Sequence, residues 1–150
     1  MSRAEQALPV SIKKYLLTKK DLVDKRLESY FQQQNQSFDV QALEAALAYT
    51  TLLDGKRLRP ILAIATFELF SDDLERVIDP ACALELIHAG SLMLDDLPCM
   101  DDAMYRRGKQ TSHVVFGESV TILASASLWV WAFSILLAVI GIRINQLVKL

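Results

Sequence analysis

Four aspartates, Asp95, Asp96, Asp101 and Asp102, fall within eight positions, and Arg106, Arg107 and Lys109 follow at once. Like charges crowded this closely repel one another unless something neutralises them. Hard divalent cations such as Mg²⁺ do so through oxygen ligands, and usually keep substrate phosphates in their shell. Neighbouring arginines suit bidentate contact with phosphate oxygens. Carboxylates followed by guanidinium groups are therefore the ingredients of a site for a Mg²⁺–diphosphate complex. The same residues would also make a solvated acidic turn leading into a basic helix end, since runs of charge are commonly surface.

A second cationic cluster, Gly55-Lys56-Arg57-Leu58-Arg59-Pro60, lies upstream. A loop here can turn Lys56 and Arg59 towards one anion, or can set its cations against the negative end of the preceding helix. His88 stands seven residues before Asp95, two helical turns, so both project from one face. Its polar tip can donate to a phosphate oxygen, although a lone histidine on an apolar helix is as readily a core residue. The aspartates themselves leave one question open. On an unbroken helix Asp95 aligns with Asp102, but Pro98 breaks that register, and a local bend would bring Asp101 round instead.

The elements that must position these groups read as helices throughout. The chain has 150 residues, a size that suits one domain, and 52% of them are apolar. Glycine is scarce and strand-like alternation is absent, so the expectation is a single all-α domain over 1–150. Val10 to Gln33 reads as the first helix, with Ile12, Tyr15, Leu16, Lys19, Leu22, Val23, Leu27 and Tyr30 on one stripe. A polar link, Gln32 to Ser37, follows. Asp39 can cap a second helix, Val40 to Leu53, which Asp54 and Gly55 stop. Pro60 opens a third, to Phe70, as a first-turn proline should. After a turn or cap at Ser71 to Asp73 comes a short helix through Val77. Asp79-Pro80 then starts the long helix that carries Glu85, His88 and Asp95.

Net charge is −2, which gives no general basic field for nucleic acid. Cys82 and Cys99 form no metal-binding pair, which points to a reducing compartment. The first twenty residues lack the apolar block of a signal peptide, so the expected location is cytoplasmic, or plastid in a eukaryote. Ser119 to Ile142 carries no charge over 24 residues. That length would span a membrane, or would make a helix buried in an all-α protein. Membrane association is the less favoured of the two.

Taken in order, GKRLRP, His88, DDLPCMDD and RRGK resemble the trans-type polyprenyl diphosphate synthases, the farnesyl and geranylgeranyl diphosphate synthases. The run of two aspartates, four residues and a further aspartate is similar to that family's first aspartate-rich motif in its longer form. The resemblance extends over about Leu43 to Leu123 and includes FGE at Phe116 to Glu118. It implies the helical bundle of the isoprenoid synthases and a reaction in which isopentenyl diphosphate condenses with an allylic diphosphate. It also implies that Asp95 and Asp101, supported by Asp96 and Asp102, bind Mg²⁺, and that Arg106 contacts the allylic diphosphate. Lys56, Arg59, His88 and Arg107 would hold isopentenyl diphosphate.

Three departures accompany the resemblance. Leu94 precedes the first aspartate where relatives often carry histidine. Ser125-Ala126-Ser127 replaces the usual Gly-Asp-Ala, so that 119–150 is apolar and divergent. No acidic residue follows Glu118, so the family's second aspartate-rich motif is missing and the chain has about half the family's length. The sequence therefore reads as a fragment, a truncated product, or a subunit that pairs with itself or with a full-length synthase. In the last case it would be a catalytically inactive helical partner. Finally, Ser91 and Gly90 lie four and five residues before Asp95, where a bulky aromatic in the resembling enzymes stops chain growth. Their small size predicts a geranylgeranyl or longer product.

Overall fold

The computed structural model describes residues 11–32 and 41–141. Six helices carry the described chain: α1 (Ile12–Gln32), α2 (Gln41–Thr51), α3 (Leu58–Phe67), α4 (Glu75–Asp95), α5 (Ser112–Phe116) and α6 (Glu118–Ile140). The all-α expectation holds, apart from one small hairpin, β1 (Tyr105–Arg106) with β2 (Lys109–Gln110). The cap expected at Asp39 and most of the polar link lie outside the described residues.

Helix α4 is the axis of the molecule. Its sequence is apolar all round rather than on one stripe, which is the signature of a helix covered on several sides. It packs against α1 and α3 and also against α2 and α6. Ile78, Ala81, Cys82, Ala83, Leu86 and Met93 of α4 are at most 2% exposed. They meet Val23 and Leu27 of α1, Ile64 of α3 and Leu128 of α6 in one core. The expected stripe of α1 is present at Lys19, Val23 and Leu27, whereas Ile12 is 77% exposed. Lys19 buries its stem and pairs its ammonium with Glu68.

Two helix starts differ from expectation. The short helix and the long one are continuous, so that Pro80 sits inside α4 rather than at its head. The missing donor of Pro80 leaves the carbonyl of Arg76 without its helical partner. Arg76 is exposed, so that carbonyl can reach water, while Val77 and Ile78 hold the preceding turn in the core. Helix α3 starts at Leu58, with Pro60 as its third residue. Proline costs nothing there, because the first four helical N–H groups have no intrahelical acceptor.

Helix α6 is neither fully buried nor free. One side packs on α4 and α2 through Ala124, Leu128 and Ala132. On the other, Leu123 is 60%, Val130 67% and Phe133 59% exposed. Three of its hydroxyls are absorbed locally: Thr121 donates to Gly117, Ser127 to Leu123 and Ser134 to Val130, each four residues back. Both α4 and α6 are long and apolar enough to cross a membrane by length and composition. Helix α4 is spent on the core, while α6 keeps one open face.

Candidate functional site

Helix α2 ends at Thr51 and the chain turns through 52–57 into α3. This loop, the middle of α4 and the hairpin tip enclose an open pocket of about 380 Å³. Lys56, Arg59, His88 and Arg107 all line it, together with Arg57 and Glu85. The four residues expected to share one anion are therefore brought together from three separate stretches of chain. Lys56 and Arg59 are exposed and take part in no ion pair among the described residues.

Arg57, between them, points the other way. It is 5% exposed, and its guanidinium bonds Asp24 of α1 at 2.8 Å and Glu85 of α4 at 2.7 Å. It also donates to the Thr51 and Leu53 carbonyls at 3.1 and 2.9 Å. Burial works against the charge of Arg57, and the two carboxylates outweigh it, so the guanidinium stays firmly protonated. Of the three cations in GKRLRP, one is a buried tie and two face the pocket. The alternative reading of the cluster, a basic cap on α2, is realised by Arg57.

His88 is half-buried on the pocket wall. Its pKa is lowered, first by burial, then by the positive charge of Arg59, with Glu85 opposing and Arg107 and Arg106 adding to the effect. Its ring N–H can donate to an anion held in the pocket.

The hairpin separates the two arginines that the sequence writes side by side. Arg107 and Gly108 both have positive φ, 52° and 78°, as a two-residue turn of the I′ type requires. Arg106 faces back and grips Asp96 through Nε and Nη2 at 2.6 to 2.9 Å. Arg107 reaches across to the Leu53 and Asp54 carbonyls at 3.3 and 3.0 Å. The hairpin is pinned by the Tyr49 hydroxyl on the Gln110 carbonyl and by Thr111 Oγ1 on the Ala103 carbonyl.

The aspartate run is not helical beyond Asp95. The Asp101 amide donates to the Asp95 carbonyl at 2.9 Å, and the Asp102 amide to that of Leu97 at 3.1 Å. The tight turn about Pro98 thus returns Asp101, not Asp102, to the backbone at the end of α4. Asp102 takes the left-handed conformation, φ 50°. Asp96 is 4% exposed and held by Arg106, so its carboxylate serves that pair. Asp95, Asp101 and Asp102 pair with no basic side chain among the described residues. Among those residues no group of three or more His, Cys, Asp or Glu is placed to hold a metal ion. Unpaired carboxylates of this kind fit Mg²⁺ that one or two carboxylates and substrate phosphates hold jointly, not a cation caged by protein alone.

Gly90 faces α6. A Cβ there would stand 2.9 Å from Trp129 Cδ1 and 3.1 Å from the Ser125 carbonyl. Trp129 Nε1 donates to the Ile87 carbonyl and Ser125 Oγ to that of Gly90. Gly90 is thus a helix-packing residue, which leaves Ser91 as the small residue on which the product-length expectation rests. The departure Ser125 is a buried hydroxyl that ties α6 to α4.

Sequence reasoning assigned no role to Arg57, Asp24 or Glu85. The available signal was Glu85 itself, an acidic residue amid the apolar run 81–94 of the central helix, since a buried carboxylate needs a buried cation.

The family model described as Polyprenyl synthetase matches residues 40–150. The chain is 46% identical over 114 residues to geranylgeranyl pyrophosphate synthase 10, mitochondrial, of Arabidopsis thaliana, covering 76% of this chain and 32% of that protein. It is 44% identical over 119 residues to the heterodimeric geranylgeranyl pyrophosphate synthase large subunit 1, chloroplastic, of the same plant, covering 79% and 31%. Among solved structures, a geranyltransferase from Legionella pneumophila superposes with a TM-score of 0.79 at 31% identity, over 91% of this chain and 47% of that one. The chain therefore spans less than half the length of each of these relatives. With 40–150 matched by the family model, and the fold and motif order in agreement, this chain belongs to the polyprenyl synthetase family.

Proposed function

We propose that this chain supplies the diphosphate-binding half of a prenyltransferase that condenses isopentenyl diphosphate with an allylic diphosphate. The observation that carries the reading is the convergence of Lys56, Arg59, His88 and Arg107 on one pocket, with Asp95, Asp101 and Asp102 left unpaired among the described residues. Lys56 and Arg59 offer charge to the diphosphate of the isopentenyl substrate, and His88 offers a directed donor. Asp95 and Asp101 would hold Mg²⁺, which when bound neutralises charge on the diphosphate that departs. Arg106 spends Nε and Nη2 on Asp96, leaving Nη1 to meet the allylic diphosphate. In the proposed reaction the allylic C–O bond breaks with its electron pair leaving on diphosphate. The isopentenyl double bond attacks the resulting cation, and a proton is lost to restore an alkene. Preorganised cations serve this step because the charge they meet develops as the bond breaks.

Incubation with isopentenyl and dimethylallyl diphosphates and Mg²⁺, followed by chromatography of the products, tests the reading. Prenyl product supports it. No product from the chain alone, but product after addition of a full-length synthase of the same organism at a changed rate, supports a second reading. In that reading the chain is a helical partner subunit, paired with itself or with a full-length synthase. The uncovered face of α6 around Leu123, Val130 and Phe133 favours it, as does the relative named a heterodimeric large subunit. The location proposed is cytoplasmic or, because two relatives are named mitochondrial and chloroplastic, organellar. A fluorescent fusion separates the two.

A further inference from the structure

Arg57 contributes no charge to the pocket. Its guanidinium is matched by Asp24 at 2.8 Å and Glu85 at 2.7 Å. Asp24 is also paired with Lys20, at 2.6 Å, so the two cations and two carboxylates are formally neutral. On charge alone such a group adds nothing to an anion site, so its presence calls for a different role.

Its bonds supply one. The side chain of Arg57 holds the Leu53 carbonyl at the start of the loop, and its own carbonyl accepts the Ile61 amide at 3.1 Å in the first turn of α3. One residue therefore fixes both ends of 53–58. It does so from the left-handed region, φ 49°, which an unbranched, non-glycine side chain leaves unless its contacts hold it. Relaxation of that single φ would redirect the chain on either side, where Lys56 and Arg59 stand. Asp24 lies on α1, is not among the pocket-lining residues, and is a second fixed point for the guanidinium.

We propose that Arg57, anchored by Asp24 and Glu85, is a positioning residue that aims Lys56 and Arg59 into the pocket. The inference rests on the diphosphate-binding reading above.

Asp24→Asn removes a carboxylate that does not itself line the pocket and releases Lys20, which pairs with Asp24 and with the pocket-lining Asp54. Both changes make the site more positive, so the two accounts predict opposite signs. If the group acts only through charge, the substitution tightens anion binding. If it positions the loop, the substitution weakens binding. Calorimetric titration of the full chain with inorganic diphosphate reads the sign directly, with melting curves alongside. The expected result is about tenfold weaker binding for Asp24→Asn, equivalent to about 1.4 kcal/mol, and recovery in Asp24→Glu. Arg57→Lys, which keeps the charge but not the fork of donors, is expected to fail likewise. Hydrogen exchange at the Lys56 and Leu58 amides should accelerate in both weakened variants while α4 amides stay protected. Unchanged or tighter binding in Asp24→Asn, with Arg59→Met weakened, would overturn the positioning role alone. Diphosphate affinity that survives Arg59→Met, or none in the wild type, would overturn the functional reading and this inference with it.

Discussion

The guanidinium of Arg107 lies against Gly55, its Cζ 2.8 Å from where a Cβ on that glycine would stand. A hairpin tip and a helix-to-helix loop, 52 positions apart in sequence, are thereby packed as one wall of the pocket. The contact is with the end of a flexible side chain, not with backbone. Gly55→Ala should therefore change folding stability little, within about 0.5 kcal/mol, while it displaces Arg107 from the Leu53 and Asp54 carbonyls. A denaturant titration with an unshifted midpoint, together with weakened binding of isopentenyl diphosphate, is the expected pair of results.

Gly90 poses the opposite case. Its neighbours are the Trp129 indole and the Ser125 carbonyl; the indole is fixed by Nε1 donating to the Ile87 carbonyl, and Ser125 by its Oγ donating to the Gly90 carbonyl. Neither can yield without moving α6. Gly90→Ala should destabilise the fold by about 1–3 kcal/mol, the range for overpacking a well-filled interior. Equilibrium unfolding in urea measures it, and a midpoint equal to that of the wild type would show that α6 sits more loosely than described.

Much of this architecture was legible in advance. Helix order, the two cationic clusters and the shared face of His88 and Asp95 follow from periodicity, because helices report their own geometry. The rest depends on contacts between distant residues. The turn about Pro98, which no period describes, is what sets the Asp101 amide on the Asp95 carbonyl. Arg57 has no assignable role in the sequence until Asp24 and Glu85 are found beside it. Arg106 and Arg107 part company because of a tight hairpin that the absence of strand alternation concealed. The one-sided burial of α6 was not visible either, since an apolar helix reads alike whether half or wholly covered.

His88 gives a pH dependence whose sign is fixed. Its pKa in the folded chain is below the ordinary 6.5, through burial and the charge of Arg59. The unfolded chain therefore takes up the proton first as pH falls. Stability is lost as pH drops through 6.5 towards the folded value, and is regained above 6.5. Melting temperatures between about pH 7.5 and 6, a span that brackets the histidine range, should fall with acidity. His88→Gln should flatten that slope, and an unchanged slope would remove His88 from the account.

Ser91 bears on product length in the whole enzyme. Its Oγ donates to the His88 carbonyl, one turn back, so the side chain is short and turned to its own helix. Each further CH₂ that a growing tail buries past this level gains about 0.8 kcal/mol. Geranylgeranyl diphosphate or longer is the expected product, and Ser91→Phe should shorten it. Chromatography of the prenyl products, with farnesyl diphosphate dominant and indifferent to Ser91→Phe, would reject the idea.

The central claim is that Asp95 and Asp101 bind an allylic diphosphate jointly with Mg²⁺, and titration calorimetry with a non-hydrolysable allylic diphosphate tests it most directly. The account predicts binding with Mg²⁺ that is lost on adding EDTA. It also predicts that binding is abolished in Asp95→Ala and Asp101→Ala and only weakened in Asp102→Ala. Equal affinity for the wild type and Asp101→Ala, or affinity indifferent to Mg²⁺, would contradict it.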